Sequence, residues 1–225
     1  MSSPIPSQPL VLFDWDGTLA ENYAVIKDGL NHVRAHFDLP LWSDEDAKKN
    51  IRLSARDHYH ELFDDAEDIA KAISLFLGYV DKKHLETIKA ITGAEAFLQR
   101  LKNQGSTLGV VSNKTQKFLD REIEKLGWAE YFDVCIGAGT AKRDKPQPDS
   151  IHLALSRLNV STTDVYYIGD TDTDMLAAHR AEITPIFVTF GIGCPEDLYK
   201  GEFEPIKPDV CDDYDAVYNI LYIKK

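Results

Sequence analysis

The feature that most limits what this chain can fold into is a change of rhythm along it. Leu10 to Phe13 is a run of four apolar residues, too short for a helix and suited to a strand buried on both faces of a parallel sheet. No second strand pattern follows until after Gly93. Instead Ile26, Leu30, Val33 and Phe37 share one face of a helix that Pro40 closes. Ser43 before Asp44-Glu45-Asp46 and Ser54 before Ala55-Arg56-Asp57 read as N-caps. Ile69, Ile73, Phe76, Leu77 and Val80 then mark a longer helix from Ala66, with a break expected near Gly78. A lone N-terminal strand must find its sheet partners beyond this stretch, so residues 22–90 form an all-helical insertion that leaves the sheet at the end of the first strand.

From Gly93 helix and strand alternate, which argues for βαβ units. Helices are expected at 94–103, 115–126, 149–159, 173–181 and 214–222, and strands at 107–112, 133–136, 165–169, 185–189 and near Val210. The fold class is therefore α/β: a doubly wound, Rossmann-like parallel-sheet core from residues 1–21 and 91–225, carrying a helical cap from 22–90. The net charge of −12 and pI near 5.0 speak against nucleic acid and anionic membrane as partners. No apolar run reaches 18 residues, and Met1 to Pro9 lacks the basic and apolar regions of a leader, so a cytoplasmic location is expected. Cys135, Cys194 and Cys211 show no paired spacing and read as reduced, buried thiols. Oligomeric state is not written in the sequence.

Chemistry is suggested at the end of the first strand. Asp14 and Asp16 stand one residue apart, followed by Gly17, where open α/β sheets bind their ligands. One acid can serve as nucleophile or metal ligand while the other, re-aimed by the turn, serves as general acid or base. A plain Asp-Gly turn would look the same, so the other strand ends decide. The 107–112 strand ends in Ser112-Asn113-Lys114, a hydroxyl and backbone N–H groups where a helix begins. Lys145 precedes Pro146-Gln147-Pro148, which stiffens its approach, with Lys142 as a second candidate. Asp170, Asp172 and Asp174 crowd the end of the 165–169 strand, a donor set for a hard cation such as Mg²⁺. A calcium EF-hand loop fails here, because its sixth and twelfth positions would be Met175 and Ala181.

Asp14, Asp16, Asp170 and Asp174 brought to one sheet edge would repel by about 4 kcal/mol per close pair at an effective dielectric of 20. A divalent cation resolves that repulsion. Lys145 and Ser112 then supply the charge and hydrogen bonds for a dianionic phosphoryl group, so the expected partner is a small phosphorylated metabolite.

These residues, read as D-x-D-G-T-L, a strand-end Ser, K-P-x-P-D and G-D-x-x-x-D in this order, resemble the four motifs of the haloacid dehalogenase superfamily of phosphatases. The resemblance spans residues 10–190, and within it the helical insertion directly after the first motif and the K-P-Q-P-D loop are similar to the phosphoglycolate phosphatase and β-phosphoglucomutase branch. It implies a doubly wound core with a mobile cap and Mg²⁺ as cofactor. It also implies Asp14 as the nucleophile that takes the phosphoryl group, and Asp16 as the acid that protonates the leaving alcohol and then activates water. The metal set would be Asp14, the Asp16 carbonyl, Asp170 and, in support, Asp174. Ser112, Asn113 and Lys145 would hold the phosphoryl oxygens, with Gly17 and Thr18 beside them. Trp15 stands where the superfamily commonly has an aliphatic residue, and Ala181-Glu182 where the branch often has Ala-Gly.

The cap segment Ile51 to Phe63 resembles the branch's specificity segment, where Arg52 and Arg56 are the natural contacts for a second anionic group on the substrate. His58 and His60 lie in the same segment. The leading expectation is a Mg²⁺-dependent phosphomonoester hydrolase, phosphoglycolate phosphatase-like, working through an aspartyl-phosphate. The alternatives are a phosphosugar mutase of the β-phosphoglucomutase type and, outside enzymes, a phospho-accepting receiver domain, which would need no helical lid.

Overall fold

The computed structural model describes residues 8–158, 164–199 and 206–223. Asn159, the last residue of one expected helix, and the first seven residues of the leader lie outside these. Strand β1 (Leu10–Phe13) leads through a two-residue strand β2 (Ala20–Glu21) into helices α1 (Tyr23–His36), α2 (Asp44–Asn50), α3 (Ala55–Leu62) and α4 (Ala66–Thr87). A second short strand, β3 (Lys89–Ala90), pairs antiparallel with β2. Both chain crossings into the helical segment therefore run through one small ribbon, which hydrophobic patterning does not reveal.

Beyond it come α5 (Ala94–Asn103), β4 (Thr107–Thr115), α6 (Gln116–Leu126), β5 (Val134–Ala138), α7 (Asp149–Leu158), β6 (Val165–Gly169), α8 (Asp172–Arg180), β7 (Thr184–Val188), β8 (Asp209–Cys211) and α9 (Tyr214–Tyr222). The main sheet is wholly parallel, in the order β5-β4-β1-β6-β7-β8. Strand order reverses at β1, between β4 and β6, and the carboxyl ends of these strands meet at the switch point where doubly wound sheets bind ligands.

The packing follows from the residues. Val11 and Phe13 point into one apolar layer with Phe97, Leu101 and Trp128, while Leu10 and Leu12 point into the other with Ile151 and Tyr167. Helices α1, α3 and α4 close over their own cluster of Leu30, Val33, Tyr59 and Ala72. Ser43 and Ser54 both cap as their positions suggest, Ser43 in a reciprocal box with Asp46. Such caps contribute about 1 kcal/mol each.

Three local expectations are corrected. Helix α4 runs unbroken through Gly78, whose missing side chain would meet nothing within 4 Å, so the glycine costs helix propensity without opening a kink. Strand β4 continues past Val111 to Thr115, which pairs with Ala138 across an irregularity in the register, and places Ser112, Asn113 and Lys114 on extended backbone before α6 starts. Of the three cysteines only Cys211 is buried; Cys135 is half-buried and Cys194 exposed, and no disulfide joins them. Among the described residues no helix is long and apolar enough to cross a membrane.

Candidate active site

The switch point collects the strand-end acids. Asp14, Asp170 and Asp174 are all buried and each offers an oxygen within 4.8 Å of the others. Lys145 is 2% exposed and reaches into this group: its Nζ donates to Asp14 Oδ1 at 2.9 Å and Asp174 Oδ1 at 2.5 Å, and to the Tyr167 hydroxyl at 2.7 Å. Asn113 fixes the lysine's backbone from both sides, accepting from Lys145 N–H at 3.0 Å and donating to its carbonyl at 2.9 Å. The Lys145–Pro146 peptide is cis. The other Asp174 oxygen accepts from Thr171 N and Oγ1, which caps α8.

Asp170 is fitted differently. Its Oδ2 accepts from Ile192 N–H at 2.8 Å and its Oδ1 from Thr18 Oγ1 at 3.3 Å, so among the described residues only neutral donors reach it. Gly17 (φ +86°) and Gly191 give it room: a Cβ at either would stand 2.3 or 2.1 Å from Asp170 Oδ2. Burial, then Asp174 and Asp14, push the Asp170 carboxyl well above its usual range. Burial likewise raises Asp14, with Lys145 pulling down and Asp174 adding to the rise.

Asp16 is outside this group and lies against a second buried lysine. Lys114 Nζ sits 3.0 Å from Asp16 Oδ2 and 3.0 Å from Glu122 Oε2. Burial raises Asp16 to about 7; Lys114 opposes the rise, while Glu122 and Asp14 add to it. A carboxyl poised there is half-protonated near neutrality, the condition a general acid that must later act as base requires. A cavity of about 110 Å³ opens over Asp14, Asp16, Ser112 and Lys145. A larger groove of about 840 Å³ reaches Asp16 from the side of Glu21, Lys27 and Tyr214.

Comparison with known proteins bears directly on this arrangement. The family model of haloacid dehalogenase-like hydrolases matches residues 11–188. The chain belongs to that family. It is 27% identical over 200 residues to a phosphoglycolate phosphatase of Yersinia pseudotuberculosis, covering 84% of each chain. It is also 27% identical over 171 residues to the pyrophosphatase PpaX of Bacillus velezensis, covering 76% of this chain and 78% of that one. Among solved structures, a predicted phosphatase from Clostridium acetobutylicum superposes with a TM-score of 0.84 at 26% identity, over 95% of this chain and 98% of the other.

For a haloacid dehalogenase-like hydrolase the donor set can be tested against the divalent metal that the family generally uses. Three carboxylates against one ammonium leave two formal negative charges, the charge of one divalent cation. All the donors are hard oxygens, and among the described residues the Asp170 carboxylate has no cationic partner of its own within hydrogen-bond reach. The residues fit.

The remaining expected residues are distributed unevenly. Ser112 is 4% exposed, and Ser112, Asn113 and Lys145 border the cavity. The Asn113 side-chain amide, however, is used on the Lys145 backbone and the Arg52 carbonyl, so a phosphoryl contact from this residue falls to its backbone N–H. Thr18 is wholly buried and its hydroxyl faces Asp170. Arg52 borders the cavity and pairs across the cleft with Asp172 at 3.0 Å. Arg56 turns instead to Asp144, at 3.0 Å, and is not in the cavity wall. His58 packs against Trp42, where burial and then Arg34 lower it to about 4.

Lys114, Glu122 and Tyr167 are site residues to which no motif assigns a role. Lys114 stood in view as the third residue of Ser-Asn-Lys, and extended backbone there sends it inward beside Ser112. Glu122 carried one available signal: an acid on the apolar face of α6, one residue before Ile123 and three after Leu119.

Proposed function

We propose that this hydrolase cleaves phosphomonoesters of a small metabolite with Mg²⁺, through a phosphoryl group carried on Asp14, with residues 22–90 acting as the cap. The observation that carries the reading is the partition of the acids: Asp14, Asp170 and Asp174 gathered around Lys145, and Asp16 held apart on Lys114. One oxygen each from Asp14, Asp170 and Asp174, with the Asp16 carbonyl, would hold the cation, which supplies positive charge against the phosphoryl oxygens.

In the first step an Asp14 oxygen bonds to phosphorus as the ester P–O bond breaks, and Asp16 passes its proton to the departing alcohol oxygen. In the second, Asp16 takes a proton from water as that water's oxygen bonds to phosphorus; the Asp14–phosphorus bond breaks and inorganic phosphate leaves. Lys145, Ser112 and the Asn113 N–H stabilise the charge that builds on the equatorial oxygens. Apolar residues over the cleft, Ile26, Ile51, Leu53 and Phe76 among them, exclude bulk water, which strengthens each of these interactions. Arg52, the one cap cation in the cavity wall, is the contact for a second anionic group such as a carboxylate on the substrate.

The test is a panel of phosphorylated metabolites assayed for inorganic phosphate with Mg²⁺ and again in chelator. Release that stops in chelator and in Asp14→Asn supports the reading. Return of the phosphoryl group to a second position of a sugar substrate, with no phosphate freed, would make the protein a mutase, and stable labelling without turnover would make it a receiver.

A further inference from the structure

Glu122 is a carboxylate with no exposure, on α6, yet four side chains from four separate parts of the chain converge on it. Trp15 Nε1 donates to Oε2 at 2.7 Å; Asn22 Nδ2 donates to Oε1 at 2.8 Å; His84 Nδ1 lies 2.8 Å from Oε1; Lys114 Nζ reaches both oxygens at 3.0 and 3.1 Å. A buried charge is costly unless it is fully paired. Although burial works to raise it, Lys114 with the His84 and Trp15 hydrogen bonds holds this carboxyl below its usual range. So complete a set of partners around a group that touches neither cavity calls for a reason.

We infer that Glu122 is a positioning residue for Asp16, acting through Lys114, and that it makes the orientation of Asp16 depend on the cap hinge. The inference rests on the acid/base role proposed for Asp16. Lys114 has two carboxylate partners, Glu122 and Asp16 Oδ2. Glu122 fixes the ammonium from behind, and the ammonium then fixes one oxygen of Asp16. The other, Oδ1, is buried and makes no hydrogen bond within the described residues, so no described protein group competes for it with the leaving group or the water. Without Glu122 the Lys114 head has one anchor, and the torsion of the Asp16 carboxyl is no longer set.

The hinge enters through the other donors. Asn22 follows β2 on the outward crossing, and His84 lies in the last turn of α4 on the return crossing. Asn22 also joins the two crossings directly, donating to the His84 carbonyl at 3.1 Å and accepting from Thr87 Oγ1 at 2.6 Å. Two of the four groups on Glu122 therefore belong to the helix ends that flank the ribbon by which the helical segment is attached. A rotation there loosens Glu122, and through Lys114 it releases Asp16 from its aligned position, so proton transfer is favoured only with the cap seated.

The experiment compares kcat/KM for two aryl phosphates, phenyl phosphate and 2,4-dinitrophenyl phosphate, with Mg²⁺. This ratio reports the steps through loss of the phenol, and only the poor leaving group needs a proton. Glu122→Gln is expected to lower kcat/KM for phenyl phosphate by about 10- to 100-fold and for the dinitrophenyl ester by less than about threefold. Lys114→Met is expected to show the same selectivity, and adding Glu122→Gln to it to cost little more, since the two act in series. Asn22→Ala, which leaves the charged pair intact, is expected to give a smaller loss of the same selectivity. Equal losses on both esters, or none, with an active wild-type enzyme would overturn the positioning role, and a selective Glu122→Gln with an unselective Asn22→Ala would overturn the tie to the hinge. A wild-type enzyme that frees phosphate from neither ester would remove the parent reading instead.

Discussion

The two walls of the cleft are built on opposite principles. The sheet side is charged: Asp14, Lys114, Lys145 and Asp174 are buried and Asp16 half-buried, fixed to one another at 2.5–3.0 Å, on strand ends or on segments that strands hold. The helical side is apolar, with Ile26, Ile51, Leu53, Phe76 and Val80 facing the same space and Arg52 as its one cation in the cavity wall. Charges gain their full effect only where neighbours are rigid and water is absent, so preorganised chemistry belongs on the sheet. Apolar contacts are tolerant of shape and can open and close, which suits a wall that admits and selects. The difference teaches where a substitution should damage every substrate and where it should damage only some.

The largest effect is expected at the centre of the charged wall. Asp14→Asn should lower turnover by about 10⁴-fold or more on every ester, because an amide cannot take the phosphoryl group. Its melting temperature should hold or rise, as one member of a repelling cluster loses its charge. Turnover by phosphate release together with thermal denaturation checks both.

Asp16→Asn should cost about 10²- to 10⁴-fold on alkyl esters, and with an activated ester should give a burst of phenol followed by slow release. A steady rate equal to wild type would break the division of labour drawn between the two acids.

Without metal, the charged wall should also govern stability against pH. The unfolded Asp carboxyls titrate near 3.8, whereas in the folded chain burial raises Asp14, Asp16 (to about 7) and Asp170. The folded state then binds more protons than the unfolded one, so stability should fall as pH rises from about 4 through 7, with Asp170 extending the fall further. Melting temperatures in chelator at pH 5 and pH 8 test the sign, and added Mg²⁺ should recover more at pH 8.

The smallest effects belong to the apolar wall. Arg52→Ala should lower kcat/KM about tenfold for phosphoglycolate, as loss of a charged hydrogen bond of ~1.5 kcal/mol would, and leave p-nitrophenyl phosphate nearly unchanged. Arg56→Ala, remote from the cavity wall and paired with Asp144, should do less. Equal losses on both esters in Arg52→Ala would show that it supports the core through Asp172 and does not read the substrate.

Much of this molecule is determined by its sequence alone, for a local reason. A strand that buries both faces must be a continuous apolar run, as Leu10–Phe13 is. A strand isolated by a long helical stretch must pair beyond it, which fixes the insertion and sends Asp14, Asp16, Asp170 and Asp174 to one end of the sheet. What tertiary structure decided are the partners. Arg52 and Arg56 look alike in sequence, and only the packing of α3 against the core gives one to the cavity and the other to Asp144. Lys114 points inward because β4 stays extended to Thr115, a pairing with Ala138 that no pattern within 107–115 encodes. Glu122 joins residues 15, 22, 84 and 114. A hydrogen bond is a matter of ångströms between side chains far apart in the chain, and periodicity reports only which face a residue takes, so the aligned acid and its link to the hinge exist only in the folded protein.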